Sequence, residues 1–360
     1  MTHSQDLSPT LWGLVTRYSP TGQEGKAVAW LVDHMKHLGA TQAFVDPVGN
    51  GIGIWGEGER TIVLLGHIDT VPGEIPVRVE HQDGRRVLYG RGSVDAKGPL
   101  AAMVDAAAAV GPRPGWRVVV IAAVDEEGES RGARYVANHY RPTFAIIGEP
   151  SRWYRVTLGY KGSAWARLEV QRALGHSAGP EGSAADALLT VWCVLREAVQ
   201  EYNRRREGMF EQLQLTVRGM GMEEDGFQQR AWMRLAARLP MAMPPEAWYH
   251  WVQGHLPEGV TMHRMGFPIQ AYVASRNTPL VRAFLGAIRR LGARPGLVYK
   301  SGTADLNIVA PVWGCPAVAY GPGDSALDHT PHEHLDLDEY ERAVRVLRAV
   351  LERLTQGETA

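Results

Sequence analysis

The chain has 360 residues, of which 45% are apolar and 21% charged, with a formal net charge of -1. That length exceeds what one core ordinarily fills, so two domains are expected. The near-neutral, interspersed charge gives no electrostatic footing for nucleic acid or an anionic membrane.

The first segment, from about Leu7 to Leu38, reads as helix broken at Pro20, with Gly39 where a C-cap belongs. Two short strands, Gln42 to Asp46 and Gly51 to Trp55, flank the turn formers Pro47-Val48-Gly49-Asn50, which predicts a hairpin. Thr61 to Leu65 is a continuous apolar run, the pattern of a strand buried on both faces, and it delivers His67 to its carboxyl end. An alanine-rich helix, Pro99 to Val110, follows Asp95. Trp116 to Val124 is a second buried strand and delivers Glu126 and Glu127. Arg131 to His139 is helix, and Phe144 to Ile147 is a third buried strand, which delivers Glu149. Strand, helix, strand, helix, strand is the pattern of an α/β sheet with helices on both faces. Ligands in such sheets gather beyond the carboxyl ends of the strands.

After Gly159 the pattern changes. Ser163 to Gln171 alternates apolar and polar side chains, as a half-exposed strand does. Ala184 to Arg205 is a long helix, Gln212 to Val217 and Ala231 to Leu239 alternate again, Pro244-Pro245 precedes another helix, and Met262 to Ala274 ends in a strand. These make a compact α+β domain. Beyond it Pro279 to Leu291 is helix, Pro316 to Tyr320 a buried strand, and Asp338 to Leu354 the closing helix. The expected fold is therefore α/β: a three-layer domain with a mostly parallel central sheet, residues 1–158 and 271–360, interrupted by an inserted α+β domain, residues 159–270.

Cys193 and Cys315 are the only cysteines, too far apart for a zinc-finger spacing or a disulfide framework, which suits a reducing cytoplasm. Cys193, within VWCVL, reads as a small buried hydrophobe. The start, MTHSQDLSPTLWGLV, lacks a basic segment ahead of a long apolar run, so no signal peptide is expected. No run of about 18 apolar residues occurs, so no membrane span is expected.

Five side chains, His67, Asp95, Glu127, Glu149 and His329, each sit where a strand gives way to a loop. Two imidazoles and three carboxylates are the ligand set of a paired divalent-metal site that uses nitrogen and oxygen and no thiolate. Glu126 lies beside one of them, placed to take a proton from water, and the combination points to metal-assisted hydrolysis. Asp69 lies two residues beyond His67, on the same face of an extended backbone, where it can accept from the other imidazole nitrogen and fix the tautomer. Asp95 follows the turn Gly90-Arg91-Gly92, and its two oxygens can bridge two cations. The segment Asp328-His329-Thr330-Pro331-His332-Glu333-His334 offers three imidazoles.

GHIDTVP, GRGSVDAKG, DEEGES and IIGEPS, in this order and spacing, resemble the dinuclear metallopeptidase and deacylase family that includes acetylornithine deacetylase, succinyl-diaminopimelate desuccinylase and glutamate carboxypeptidase. The resemblance covers nearly the whole chain. It implies that His67 and Glu149 complete one metal and Glu127 and His329 the other, that Asp95 bridges them, that Glu126 is the general base and that Asp69 orients His67. The implied cofactor is a pair of divalent ions, zinc or cobalt. The family's His-x-Pro-x-Glu pattern after a Gly-Pro-Gly turn fits GPGDSALDHTPHE with His329 as ligand, and His332 is the alternative. A lone acid at a strand end is usually a turn former or cap, but five ligands in family order are not explained that way.

The inserted domain resembles the family's lid or dimerisation domain, which implies a homodimer. LGHSAGP resembles the family segment whose His, here His176, steadies the developing oxyanion. Arg238, in RLAARLP, resembles the Arg that grips a substrate carboxylate, a task that bidentate geometry suits. Ser301, Gly302 and Thr303, in SGTAD, match the family's substrate-side loop. One departure stands out: where the family has Asn-x-x-Pro ahead of that Arg strand, this chain has Asp225-Gly226-Phe227-Gln228. GYKGSAWARLEV and KSGTADLN are most similar to the family branch that frees lysine, and sometimes ornithine, from the γ-carboxyl of the Glu that ends a small acidic amino-group carrier protein. The implied activity is metal-dependent hydrolysis of that amide, the last step of carrier-protein lysine biosynthesis. The alternatives are deacylation of acetylornithine or succinyl-diaminopimelate, or a related dipeptidase or carboxypeptidase activity.

Overall fold

A computed structural model describes residues 7–82, 84–175 and 182–356. The chain divides into two compact units, Met1–Gly159 with Val273–Tyr299 and Ala304–Ala360, and Tyr160–Tyr272 with Lys300–Thr303.

The first unit begins with α1 (Pro9–Val15), α2 (Gly25–His37) and the hairpin of β1 (Gln42–Val45) and β2 (Gly51–Trp55). There follow β3 (Arg60–His67), β4 (Arg78–Gln82), β5 (Arg85–Tyr89), α3 (Lys97–Val110), β6 (Trp116–Ala123), α4 (Arg131–His139), β7 (Phe144–Gly148) and β8 (Arg155–Tyr160). The second unit contributes β9 (Gly162–Ala173), α5 (Ala184–Asn203), β10 (Gln214–Glu224), β11 (Gln228–Leu239), α6 (Pro245–Gln253) and β12 (Val260–Ile269). The chain then returns through β13 (Tyr272–Val273), α7 (Pro279–Arg290), β14 (Gly296–Lys300), α8 (Asp305–Trp313), β15 (Ala317–Ala319), β16 (His334–Asp336) and α9 (Leu337–Thr355).

The main sheet runs β1-β2-β6-β3-β7-β15-β8-β13, with β14 also pairing β8. Its centre, β6-β3-β7-β15, is parallel, and the β1–β2, β2–β6 and β15–β8 pairs are antiparallel. The apolar run of β3 is buried from Thr61 to His67, which requires cover on both faces. Two helix groups line the sheet: α3 packs with α1 and α9 and touches β3, β6 and β7, whereas α8 packs with α4 and touches β7 and β15. The alanines of α3 are mostly buried, and their small side chains let that helix lie close to the strands.

Several elements carried too little pattern to be expected. β4 is exposed along its whole length and shows no apolar alternation; with β5 and β16 it makes a separate three-stranded sheet. α8 holds Pro311, which argues against helix, yet Pro311 stands near the end, where few backbone bonds are lost, and Gly314 closes the helix at φ 62°.

In the second unit a four-stranded antiparallel sheet, β10-β11-β9-β12, packs against α5 and α6. Alternate residues face inward: Ala164, Ala166, Leu168 and Val170 from β9, Met233 and Leu235 from β11, meeting Leu188, Val191, Leu195 and Trp248 from the helices. Cys193 is exposed, contrary to the sequence reading. The buried stripe of α5 is Ala184, Leu188, Val191 and Leu195, and position 193 falls off that stripe. β10 and β11 extend beyond the expected strands to a tip at Asp225-Gly226-Phe227. There Gly226 has φ 89°, and the Asp225 carboxylate accepts the Phe227 and Gln228 N–H groups at 3.0 and 2.8 Å. The stretch that departs from the family pattern is thus a turn with its own chemistry.

Candidate metal centre

Neighbouring parallel strands deliver the site. His67 of β3 is level with Ala123 of β6, and Gly66 with Gly148 of β7. His67, the loop after β6 with Glu126 and Glu127, and Glu149 therefore leave the sheet at one edge. Asp95 stands just ahead of α3, and its peptide to Ala96 is cis. His329 comes from the loop between β15 and β16, with φ 63°.

The side chains converge. Asp95 Oδ1 lies 3.2 Å from His67 Nε2, and Asp95 Oδ2 lies 3.0 Å from His329 Nε2. His329 Nε2 is also 2.9 Å from Glu127 Oε1. Each oxygen of Asp95 thus faces a different imidazole, the geometry of a carboxylate able to serve two cations. Among the described residues, ligand atoms of His67, Asp95 and Glu127 lie within 4.8 Å of one another. Glu149, 8% exposed, stands at the end of the strand beside His67. Of the two candidate imidazoles near the C-terminus, His329 carries the contacts to Asp95 and Glu127. His332 is exposed, and its carbonyl accepts from the His334 ring.

The electrostatics are those of buried carboxylates offset by protons on imidazoles. Burial pushes Asp95 up, but hydrogen bonds from His329 and His67 outweigh it and hold Asp95 well below the usual carboxylate range. Hydrogen bonds to Asp95 and Glu127 push His329 up to about 10. His67 is also raised well above its ordinary value: burial opposes this, and Asp69, Asp95 and Glu126 favour it. Divalent cations bound by such a set would displace those ring protons, so the donors fit a metal pair. Glu126 is driven well up by burial, against His67 and with help from Asp305, Glu149 and Glu127.

Asp69 has a broader role than its spacing suggested. His67 Nδ1 donates to the Asp69 carbonyl at 3.0 Å, with the carboxylate Oδ1 farther off at 3.5 Å. The Asp69 carboxylate accepts the backbone N–H groups of Glu126 and Glu127, both at 3.1 Å, and the Thr21 hydroxyl at 2.8 Å. It therefore holds the loop that carries the proposed base.

Sequence reasoning gave no individual role to several buried charged residues. Glu333, fully buried, accepts from the Val94 and Asp95 N–H groups at 2.9 and 3.1 Å and pairs with Arg91 at 2.9 Å. Lys97 donates to the Arg17 carbonyl at 2.7 Å, and burial lowers it to about 7 against the pull of Glu333 and Asp69. Asp305, 2% exposed, opens α8 with Oδ1 lacking a hydrogen-bond partner. Glu333, Lys97 and Asp305 all stood inside quoted motifs, but no spacing rule signals their burial.

In the second unit Arg238 Nη1 donates to Thr303 Oγ1 at 3.0 Å, and Ser301 and Gly302 precede Thr303 on the same half-buried segment. Lys161, buried, donates to the carbonyls of Met209 and Gln212 and to Gln214 Oε1. His176 lies outside the described residues.

Residues 63–353 match the family model for peptidase family M20/M25/M40. The chain belongs to that family. The M20 chain is thus a metal-dependent hydrolase of the kind that acts on amide bonds. It is 44% identical to a LysW-lysine hydrolase of Deinococcus radiodurans, over 94% of each chain. It is 28% identical to a LysW-lysine/LysW-ornithine hydrolase of Saccharolobus islandicus, over 98% of this chain and 97% of the other. A solved tripeptidase from Staphylococcus aureus has a similar fold, at TM-score 0.78 and 17% identity, covering 99% of this chain and 100% of its own.

Proposed function

We propose that this M20 chain releases L-lysine from the C-terminal Glu of a LysW-type carrier, a small acidic amino-group carrier protein, with L-ornithine as the second amino acid to be tested. The observation that carries the reading is the 44% identity, over 94% of both chains, to a LysW-lysine hydrolase. The convergence of His67, Asp95, Glu127 and His329 supports the chemistry.

His67 and Glu149 would hold one divalent ion and Glu127 and His329 the other, with Asp95 between them, and zinc or cobalt is the proposed metal. Bound there, the ions would polarise the scissile carbonyl and acidify a water. Glu126 takes a proton from the attacking water and returns it to the leaving α-amine as the C–N bond breaks. Asp69 keeps Glu126 in place through its backbone. His176 steadies the oxyanion. Arg238, with Ser301, Gly302 and Thr303, grips the α-carboxylate on the leaving side. Residues 1–158 and 271–360 form the catalytic domain, and 159–270 a lid through which a cytoplasmic homodimer forms.

The test is lysine release from lysine-loaded carrier by chelated protein before and after zinc or cobalt is restored. Release that returns with the ion is expected. Equal release by chelated protein would sink the metal assignment.

A further inference from the structure

Glu339, in the first turn of α9, is 8% exposed and belongs to no motif quoted above. Its Oε1 accepts two backbone N–H groups from separate loops, Trp153 at 3.0 Å and Gly323 at 3.1 Å. Its Oε2 accepts from Arg152 Nη1 at 3.2 Å, and Arg152 also pairs with Asp324. One loop starts at Glu149. The other is the Gly-Pro-Gly turn that leads to His329.

The two loops are laced together beside this carboxylate. Ser151 donates to the Gly321 carbonyl and Arg152 to the Gly323 carbonyl, each at 3.0 Å. Arg152 adopts φ 65° and Gly323 φ 103°, conformations that ordinary residues avoid and that the surrounding bonds must hold. The turn has no slack. A Cβ at Gly321 would come within 2.6 Å of Pro99 and 2.9 Å of the Glu149 carbonyl, and one at Gly323 within 2.8 Å of Val94, the neighbour of Asp95. The backbones of the Glu149 loop and of the turn ahead of His329 therefore meet here, with the Val94 side chain against them, and Glu339 accepts one N–H group from each.

We propose that Glu339 is a positioning residue of the metal centre, whose carboxylate fixes the separation of the Glu149 and His329 loops and thereby the affinity for the divalent ions. The inference rests on the metal reading of the site. It concerns a residue that touches no ligand side chain.

The test is titration of full-length chelated protein with zinc alone, for wild type, Glu339→Asp and Glu339→Gln, with thermal unfolding recorded in parallel. Asp keeps the charge at the start of α9 but is one methylene too short to reach both loops. Gln keeps the length and an oxygen able to accept both N–H groups. Glu339→Asp is expected to weaken zinc binding roughly 10–100-fold, as loss of supporting contacts around a metal does. Glu339→Gln is expected to lose less than about fivefold, because a partly exposed ion pair contributes little. Zinc binding by Glu339→Asp equal to wild type, even with a lowered Tm, would show that Glu339 only stabilises the fold and would overturn the proposal. Gln as weak as Asp would overturn the acceptor geometry. A wild type that binds no zinc would instead remove the metal reading itself, so the two failures are distinct.

Discussion

Glu126 and Asp305 are two buried acids with different prospects once cations are present. Burial raises both; Glu126 is raised further by Asp305, Glu149 and Glu127. Cations at the proposed ligands would invert that field and favour the ionised form that a general base requires. Glu126→Gln keeps the length of the side chain and the backbone bond to Asp69. Its metal content should therefore match wild type while kcat falls about 10²–10⁴-fold. Metal analysis with steady-state kinetics checks this, and full activity in the variant would remove the base assignment. Asp305 gives a pH signature. Burial, opposed by His67, lifts it from 3.8 to about 7. Between those values the folded chain keeps a proton that the unfolded chain has shed, so this group makes stability fall as pH rises through that window. In chelated protein, Asp305→Asn should unfold in urea like wild type near pH 4 and be the more stable of the two at pH 8. Parallel pH curves would contradict this. That Glu126 and His329 stand among the clustered carboxylates and imidazoles could be anticipated, because both are tied to spacing and motif. The contacts of Glu333 and Glu339 could not, because they depend on backbone donors that come from distant segments, and neither could the burial of Asp305.

At the scale of elements, β3, β6 and β7 could be read directly. A strand covered on both faces must be apolar throughout, and TIVLLG, VVVIAA and FAII are. β4 and α8 could not, since one is fully exposed and the other carries a proline. The strands set one edge of the site, but the ligand loops need anchors of their own. Glu333 is the anchor for Asp95. Its ion pair with Arg91 is buried on both sides, with side-chain exposures of 1% and 7%. Glu333→Ala would leave the guanidinium buried with only the Gly73 and Thr330 carbonyls and no carboxylate, and the Val94 and Asp95 N–H groups unsatisfied. A loss of about 3–5 kcal/mol of stability is expected, read from denaturant unfolding, together with weaker metal binding. A loss below about 1 kcal/mol, the worth of an exposed pair, would mean that the carbonyls of Gly73 and Thr330 suffice for Arg91.

At the scale of the molecule, the change from buried apolar runs to alternating strands near Gly159 marks where one kind of sheet gives way to another. Each unit then follows from its own pattern: parallel strands under two helix groups in the first, and a half-exposed antiparallel sheet backed by α5 and α6 in the second. The first unit carries the cluster of imidazoles and carboxylates; the second carries Arg238 and Thr303 in contact. Composition alone said little about the substrate, because a net charge of -1 conceals how individual arginines are arranged. Membership in the M20 family defines the chemistry, and the identity of the acyl group is the part that solution work must decide. The most direct measurement is steady-state hydrolysis, by zinc- or cobalt-loaded protein, of carrier bearing lysine on its terminal Glu and of N-acetylornithine, side by side. Lysine release with a far larger kcat/KM than acetylornithine turnover is the predicted result. Rapid deacetylation with the carrier left intact would contradict it.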